Sequence, residues 1–88
     1  MSQNLLAAAM EVTLLTISPD ATRRPTTADG FEFKYIISGR CDYHINEEVI
    51  PLEEGDALYF DASAPHIPVN KTDKNVVMLA MYFIVTKV

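Results

Sequence analysis

The side chains able to do chemistry in this chain are few. There are two histidines, His44 and His66, and one cysteine, Cys41, while acidic and basic residues alternate with aromatics in FEFKYIIS, where Glu32 and Lys34 stand two apart. A carboxylate and an imidazole brought together could exchange a proton near neutral pH, the minimum for general acid–base work. No nucleophile–base pair stands out, and three glycines in the whole chain leave nothing to cradle a phosphate. Cys41 alternates with Tyr43 and Ile45 on the apolar side of its segment, so it reads as a small buried hydrophobe. Arg40, Asp42 and His44 occupy the other side, which places His44 on a polar, solvated face.

These residues must be positioned by extended elements. A helix is conceivable only near the start, where Asn4 could cap Leu5–Met10, so residues 1–10 read as an N-terminal extension, strand or short helix. Residues 11–88 read as a single domain. From Glu11 the texture is β: a β-branched run to Ile17 ends at Ser18-Pro19-Asp20, and Arg23–Gly30 is loop. Phe31–Ile37 is a second strand and Cys41–Ile45 a third, followed by a hairpin turn at Asn46-Glu47-Glu48 and a return through Val49, Ile50 and Leu52. Glu54-Gly55-Asp56 is a turn before an extended Ala57–Phe60. Pro65 and Pro68 make Asp61–Pro68 irregular. Val76–Val85 is rich in β-branched and aromatic residues and reads as a strand buried on both faces. Regularly spaced short strands indicate a sandwich or barrel.

Composition narrows the setting. The chain has 88 residues, seven basic against twelve acidic side chains and a net charge of −5. That balance argues against direct nucleic-acid contact, which needs clustered Lys and Arg. A hydrophobic content of 49% is enough for a packed core, yet a chain this short buries only roughly 60–65% of its unfolded surface and gains from a partner. With one cysteine there is no internal disulfide, and a cytoplasmic setting is the default. The ten-residue apolar run at Val76–Val85 falls far short of the ~20 residues of a membrane span. The apolar start lacks a preceding basic residue and is interrupted by Glu11, which argues against a secretory signal.

Two segments resemble a known family. EFKYIISG, from Glu32 to Gly39, is similar to the end of the first cupin motif, and GDALYFDASAPHIPVN, from Gly55 to Asn70, to the second. Gly55, His66 and Asn70 fall at the family spacing, while Asp61 and Ser63 replace its Pro and Gly. The stretch is also similar to the cupin domains that follow a helix-turn-helix in bacterial regulators. The resemblance implies an all-β, antiparallel jelly-roll barrel, often dimeric, with a pocket inside. It also implies metal ligands in an H-x-H pair upstream of the Glu. Here those positions carry Thr26 and Ala28, or Pro25 and Thr27, so no tightly bound metal and no cofactor are expected.

Period two alone would send Glu32 and Lys34 to water and the aromatics inward. The resemblance implies the reverse: Glu32 and Lys34 inside as a pair, and Phe33, Tyr35 and Ile37 outside, covered by a second subunit. Glu32, Lys34, His66 and Tyr43 are then the candidate ligand-binding residues, suited to a small polar or anionic molecule such as a carboxylate, although Tyr43 fits a core position equally well. Met78, Leu79, Met81, Tyr82 and Phe83 are core or pocket wall. Gly55, Asp56 and Asn70 are turn residues. Three functions compete: a non-catalytic, sensor-type cupin with a degenerate metal site; a small isomerase- or oxygenase-type enzyme using His66 and Glu32; and a dimerisation scaffold with a solid interior. The residues ahead of the motif are too few and too extended for a helix-turn-helix. The chain is therefore either a stand-alone cupin or a fragment of a regulator.

Overall fold

Alternating side chains through seven strands build two facing antiparallel sheets. A computed structural model describes the backbone of residues 6–21 and 23–87 and the side chains of residues 10–21 and 23–83. The strands are β1 (Leu6–Ile17), β2 (Phe31–Ser38), β3 (Arg40–Ile45), β4 (Glu48–Glu53), β5 (Ala57–Asp61), β6 (His66–Val69) and β7 (Val76–Lys87). The larger sheet runs β1-β7-β2-β5 and the smaller β4-β3-β6, an open jelly-roll arrangement. Of the two alternatives for residues 1–10, strand or short helix, Leu6–Met10 are strand, while Asn4, the cap of the helix alternative, lies outside the described residues. No helix here is long and apolar enough to cross a membrane among the described residues.

Inward-facing residues of both sheets form one core. Ile17, Ile36, Val76 and Met78 from the large sheet meet Cys41, Tyr43 and Leu52 from the small one, with Phe60 between them. Strand β7 lies between β1 and β2, so its Val76, Met78 and Ala80 are fully buried while Val77, Leu79 and Met81 on the other face are only half-buried. The sequence reading of two buried faces thus holds for one. The other is the outer face of a four-stranded sheet, and no layer among the described residues covers it.

Turns set the register. Asn46-Glu47 closes a two-residue hairpin between Ile45 and Glu48, with Asn46 at a φ of 54°, the left-handed conformation Asn tolerates. Pro51 sits in β4, an edge strand, where its missing N–H does not break the sheet. Gly39 has a φ of 82°, and a Cβ there would meet the carbonyl oxygen of Asn75 at 2.8 Å. Glycine therefore lets β2 turn into β3 against the start of β7. Asn70 ties the β6–β7 turn to the end of β1: its Nδ2 donates to the Ile17 and Lys74 carbonyls, and its Oδ1 accepts from the Thr72 amide and hydroxyl. Asp61 performs the turn that Pro and Gly serve in the family pattern. Its Oδ1 accepts from the Ser63 amide at 2.9 Å, which holds the carboxyl below the usual range.

Candidate functional site

The polar end of the interior is built by neighbouring strands. Glu32 and Lys34 lie on the inner face of β2, and Glu32 is the direct cross-strand neighbour of Tyr82 on β7. Glu32 is 5% exposed and Lys34 2%. An isolated charge at that depth would be costly, so the two must pair. Lys34 Nζ donates to Glu32 Oε1 at 2.9 Å, and it also reaches the Tyr82 hydroxyl at 3.3 Å and lies 4.4 Å from the centre of that ring. Period two correctly separates the two faces of β2. It assigns the faces wrongly, because the aromatic face is the one left uncovered among the described residues.

His66 arrives from the opposite sheet. Expected in an irregular segment, it instead opens strand β6, pairing with Ile45 on β3 and with Thr26 across an isolated antiparallel bridge. The amide of each of Thr26 and His66 donates to the carbonyl of the other at 3.0 Å. Pro65 ends the preceding turn, and Pro68 lies opposite Tyr43 of β3. The His66 ring stands edge-on to Phe60 and near Tyr43. Its Nδ1 donates to the Ala64 carbonyl at 2.8 Å, and its Nε2 faces Glu32 Oε2 at 3.1 Å. A carbonyl only accepts, so Nδ1 carries a hydrogen. One more proton must lie in the Nε2–Oε2 contact, since otherwise two lone pairs would oppose each other. The site can therefore hold a proton between two named atoms.

The sequence candidates Glu32, Lys34, Tyr43 and His66 all line one cavity of about 120 Å³. Tyr43 belongs to both the cavity wall and the core, and burial, with the Glu32 carboxylate second, pushes its phenol far above the ordinary value. It stays a hydrogen-bond donor. Sequence reasoning missed Arg23 and Arg24, which line the same cavity from the β1–β2 loop. It also gave Tyr82 only a shaping role. The regular inward alternation Val76, Met78, Ala80, Tyr82 was the available signal for Tyr82, whereas the arginines left none. A second cavity of about 400 Å³ shares Leu15, Glu32 and Tyr82 with the first, so the interior opens beyond the charged cluster.

The remaining candidates lie elsewhere. Cys41 is buried in the core, as its alternation suggests, and burial, together with the charge of Asp42, raises its thiol to about 11. His44 is not solvated as expected. It is half-buried on the outer face of β3 between its cross-strand neighbours Val49 and Ile67, and its Nε2 is shielded without a hydrogen-bond partner.

The fold and this site define a cupin-type barrel domain. The chain belongs to the family described as Cupin domain, which it matches over residues 13–82. Among solved structures it is similar to a Cupin 2 conserved barrel domain protein from Salinispora arenicola, at 21% identity and a TM-score of 0.75, covering 91% of this chain and 76% of that one. It is also similar to the Cupin_2 domain of an XRE family transcriptional regulator from Enterobacter cloacae, at 16% identity and a TM-score of 0.76, covering 98% and 99%. A sugar phosphate isomerase of the cupin superfamily from Silicibacter pomeroyi shares 24% identity at a TM-score of 0.71, over 90% of this chain and 51% of that protein. Among proteins of curated function, none matches the sequence.

The donor set does not fit a resident transition metal of the kind the family resemblance implies. Such a site takes three or four protein ligands. Here Thr26 stands beside His66 Nε2, its hydroxyl 3.5 Å away, and Glu32 already holds the Lys34 ammonium on one oxygen and His66 on the other. No group of three or more His, Cys, Asp or Glu side chains gathers in metal-binding proximity among the described residues.

Proposed function

We propose that this chain is a non-catalytic, sensor-type cupin domain that binds a small anionic molecule, a carboxylate foremost, at the Glu32–Lys34–His66–Tyr43 cluster. One observation carries this reading. Three of the chain's seven basic side chains, Arg23, Arg24 and Lys34, line a single cavity of about 120 Å³ in a chain of net charge −5. Among the described residues only one acidic side chain, Glu32, lines it with them. The local charge is thus opposite to the overall charge. A planar guanidinium matches the two oxygens of a carboxylate, and the exposed Arg23 and Arg24 stand at the mouth above the buried Lys34. The Tyr43 and Tyr82 hydroxyls add neutral donors, and the adjoining cavity of about 400 Å³ accommodates a ligand tail. The open interior counts against a pure scaffold, which needs a filled one. Full-length similarity to the cupin domain of a transcriptional regulator supports the sensor role. A thermal-shift screen of small carboxylates against their neutral amides tests the reading. Stabilisation by carboxylates alone, lost in His66→Ala, is expected. Equal shifts with both classes, or in both proteins, would refute it.

The Glu32–His66 proton contact favours a second reading, an acid–base enzyme acting on a carbon next to a carbonyl. Incubating the protein in D₂O with small 2-oxo acids would reveal it as deuterium incorporation that His66→Ala abolishes. The sensor reading expects no incorporation above the buffer rate.

A further inference from the structure

We infer that the ligand of this domain is a zwitterion with separated charges. Its carboxylate enters the smaller cavity, and a primary ammonium at the far end of an apolar spacer seats beside Glu11 and Asp29 in the adjoining cavity of about 400 Å³. The inference rests on the anion-binding reading of the smaller cavity and names the other half of the ligand. The two cavities meet at Leu15, Glu32 and Tyr82, so one hollow has two chemically distinct halves. Arg23, Arg24 and Lys34 line the smaller half. Among the described residues that line the larger half there is no Lys, Arg or His, and the acidic ones are Glu11, Asp29 and Glu32. The charge of the wall thus reverses along the hollow.

The strand register accounts for the place of Glu11. It stands opposite Tyr82 on β7, and Tyr82 stands opposite Glu32 on β2. Directly opposed residues share a face of the sheet, so Glu11 lies on the same inner face as the buried Glu32. Along β1 that face passes from buried Ile17 through half-buried Leu15 and Thr13 to exposed Glu11. The carboxylate of Glu32 is paired on both oxygens, whereas Glu11 and Asp29 form no ion pair among the described residues. Like charges around one concavity draw cations into it. A metal ion does not suit the lining, because hard cations take about six or more oxygens and no group of three or more His, Cys, Asp or Glu side chains gathers among the described residues. An ammonium has three donors and is served by one or two carboxylates. Leu15, Ala28 and Ala62 give the larger half an apolar wall for the spacer. Two strand spacings of ~4.8 Å put the backbones of Glu11 and Glu32 about 10 Å apart, so a ligand with charged ends roughly 6–9 Å apart fits once the side chains reach in.

Isothermal titration calorimetry of the full chain with 6-aminohexanoate, hexanoate and 2-aminohexanoate tests the inference. 6-Aminohexanoate is expected to bind at least about tenfold more tightly than hexanoate, the worth of one charge-assisted hydrogen bond. 2-Aminohexanoate has the same composition but carries its charges on adjacent carbons, and it should gain nothing over hexanoate. In Glu11→Gln/Asp29→Asn, with its β-type circular dichroism spectrum retained, the preference for 6-aminohexanoate should shrink to about twofold or less. Equal binding of 6-aminohexanoate and hexanoate by wild type would overturn the inference and leave the anion reading standing. An equal gain with 2-aminohexanoate, or a preference that survives in the double variant, would do the same. Binding of neither hexanoate nor 6-aminohexanoate would overturn the anion reading and the inference together.

Discussion

Glu32 Oε2 lies 3.1 Å from His66 Nε2, joining the start of β2 in one sheet to the start of β6 in the other. The other oxygen of the same carboxylate holds Lys34 at 2.9 Å. One acidic side chain thus anchors two donors from two sheets, and the arginines at 23 and 24 remain to meet a ligand. The proposed binding of anions rests on this division: Glu32 fixes the position of Lys34 and His66 without neutralising the whole cationic lining.

Removing the anchor should expose what it balances. Glu32→Gln leaves the Lys34 ammonium buried without a counter-charge, and a loss of about 3–5 kcal/mol in urea unfolding is expected. Lys34→Met in the Glu32→Gln background should restore most of it, because the unpaired charge is then gone. Additive losses in the double variant would mean that the two side chains do not act as a pair.

The elements were largely legible because turn residues punctuate them. Asn46, Gly55 and Pro19 mark strand ends, and the resemblance to the two family motifs implied that Glu32 and His66 come together although 34 positions separate them. What alternation alone misread was the side of β2 that faces inward, which the family resemblance assigned. Alternation distinguishes two faces without ranking them, and here the face richer in aromatics is the outer one. Arg23, Arg24 and Thr26 were illegible for another reason. Their loop is held by backbone pairing of Thr26 with His66 and of Ala28 with Ala62, contacts that leave no trace in side-chain pattern. His44 was misread because polar alternation does not reveal that Val49 and Ile67 flank it.

The thiol of Cys41 should be unreactive in the native protein. With its value raised to about 11, little thiolate exists at pH 8, and a chromogenic disulfide reagent should modify it only on unfolding. The sign of the linkage follows. Folding favours the protonated thiol, so this contribution to stability is complete below pH 9 and is lost as pH rises towards 11. Tyr43, shifted in the same direction, adds to the alkaline loss. A native thiol that reacts as fast as free cysteine at pH 8 would contradict the burial described.

Two glycines with similar backbone angles should respond differently. Gly55 has a φ of 90° and open space around it, so Gly55→Ala should cost only the left-handed penalty of about 1–2 kcal/mol. Gly39→Ala adds a clash with the Asn75 carbonyl, and a larger loss is expected, on the order of 3 kcal/mol or more. Thermal unfolding of the two variants side by side checks the ranking.

With only Glu32 and His66 as donors, protein purified without added metal should hold far less than one transition-metal ion per chain. Elemental analysis near one equivalent of iron, manganese, nickel or zinc would require ligands the site does not provide.

The central claim, an anion pocket lined by Arg23, Arg24 and Lys34, is tested most directly by NMR titration of isotope-labelled protein with malonate and with malonamide. The account predicts saturable shifts with malonate centred on Thr26, Tyr43 and His66, and affinity at least about tenfold weaker in the Arg23→Ala/Arg24→Ala variant, the loss of one charge-assisted hydrogen bond or more. No shifts with malonamide are expected. Shifts of equal size with both compounds, or malonate affinity unchanged in the double variant, would contradict it.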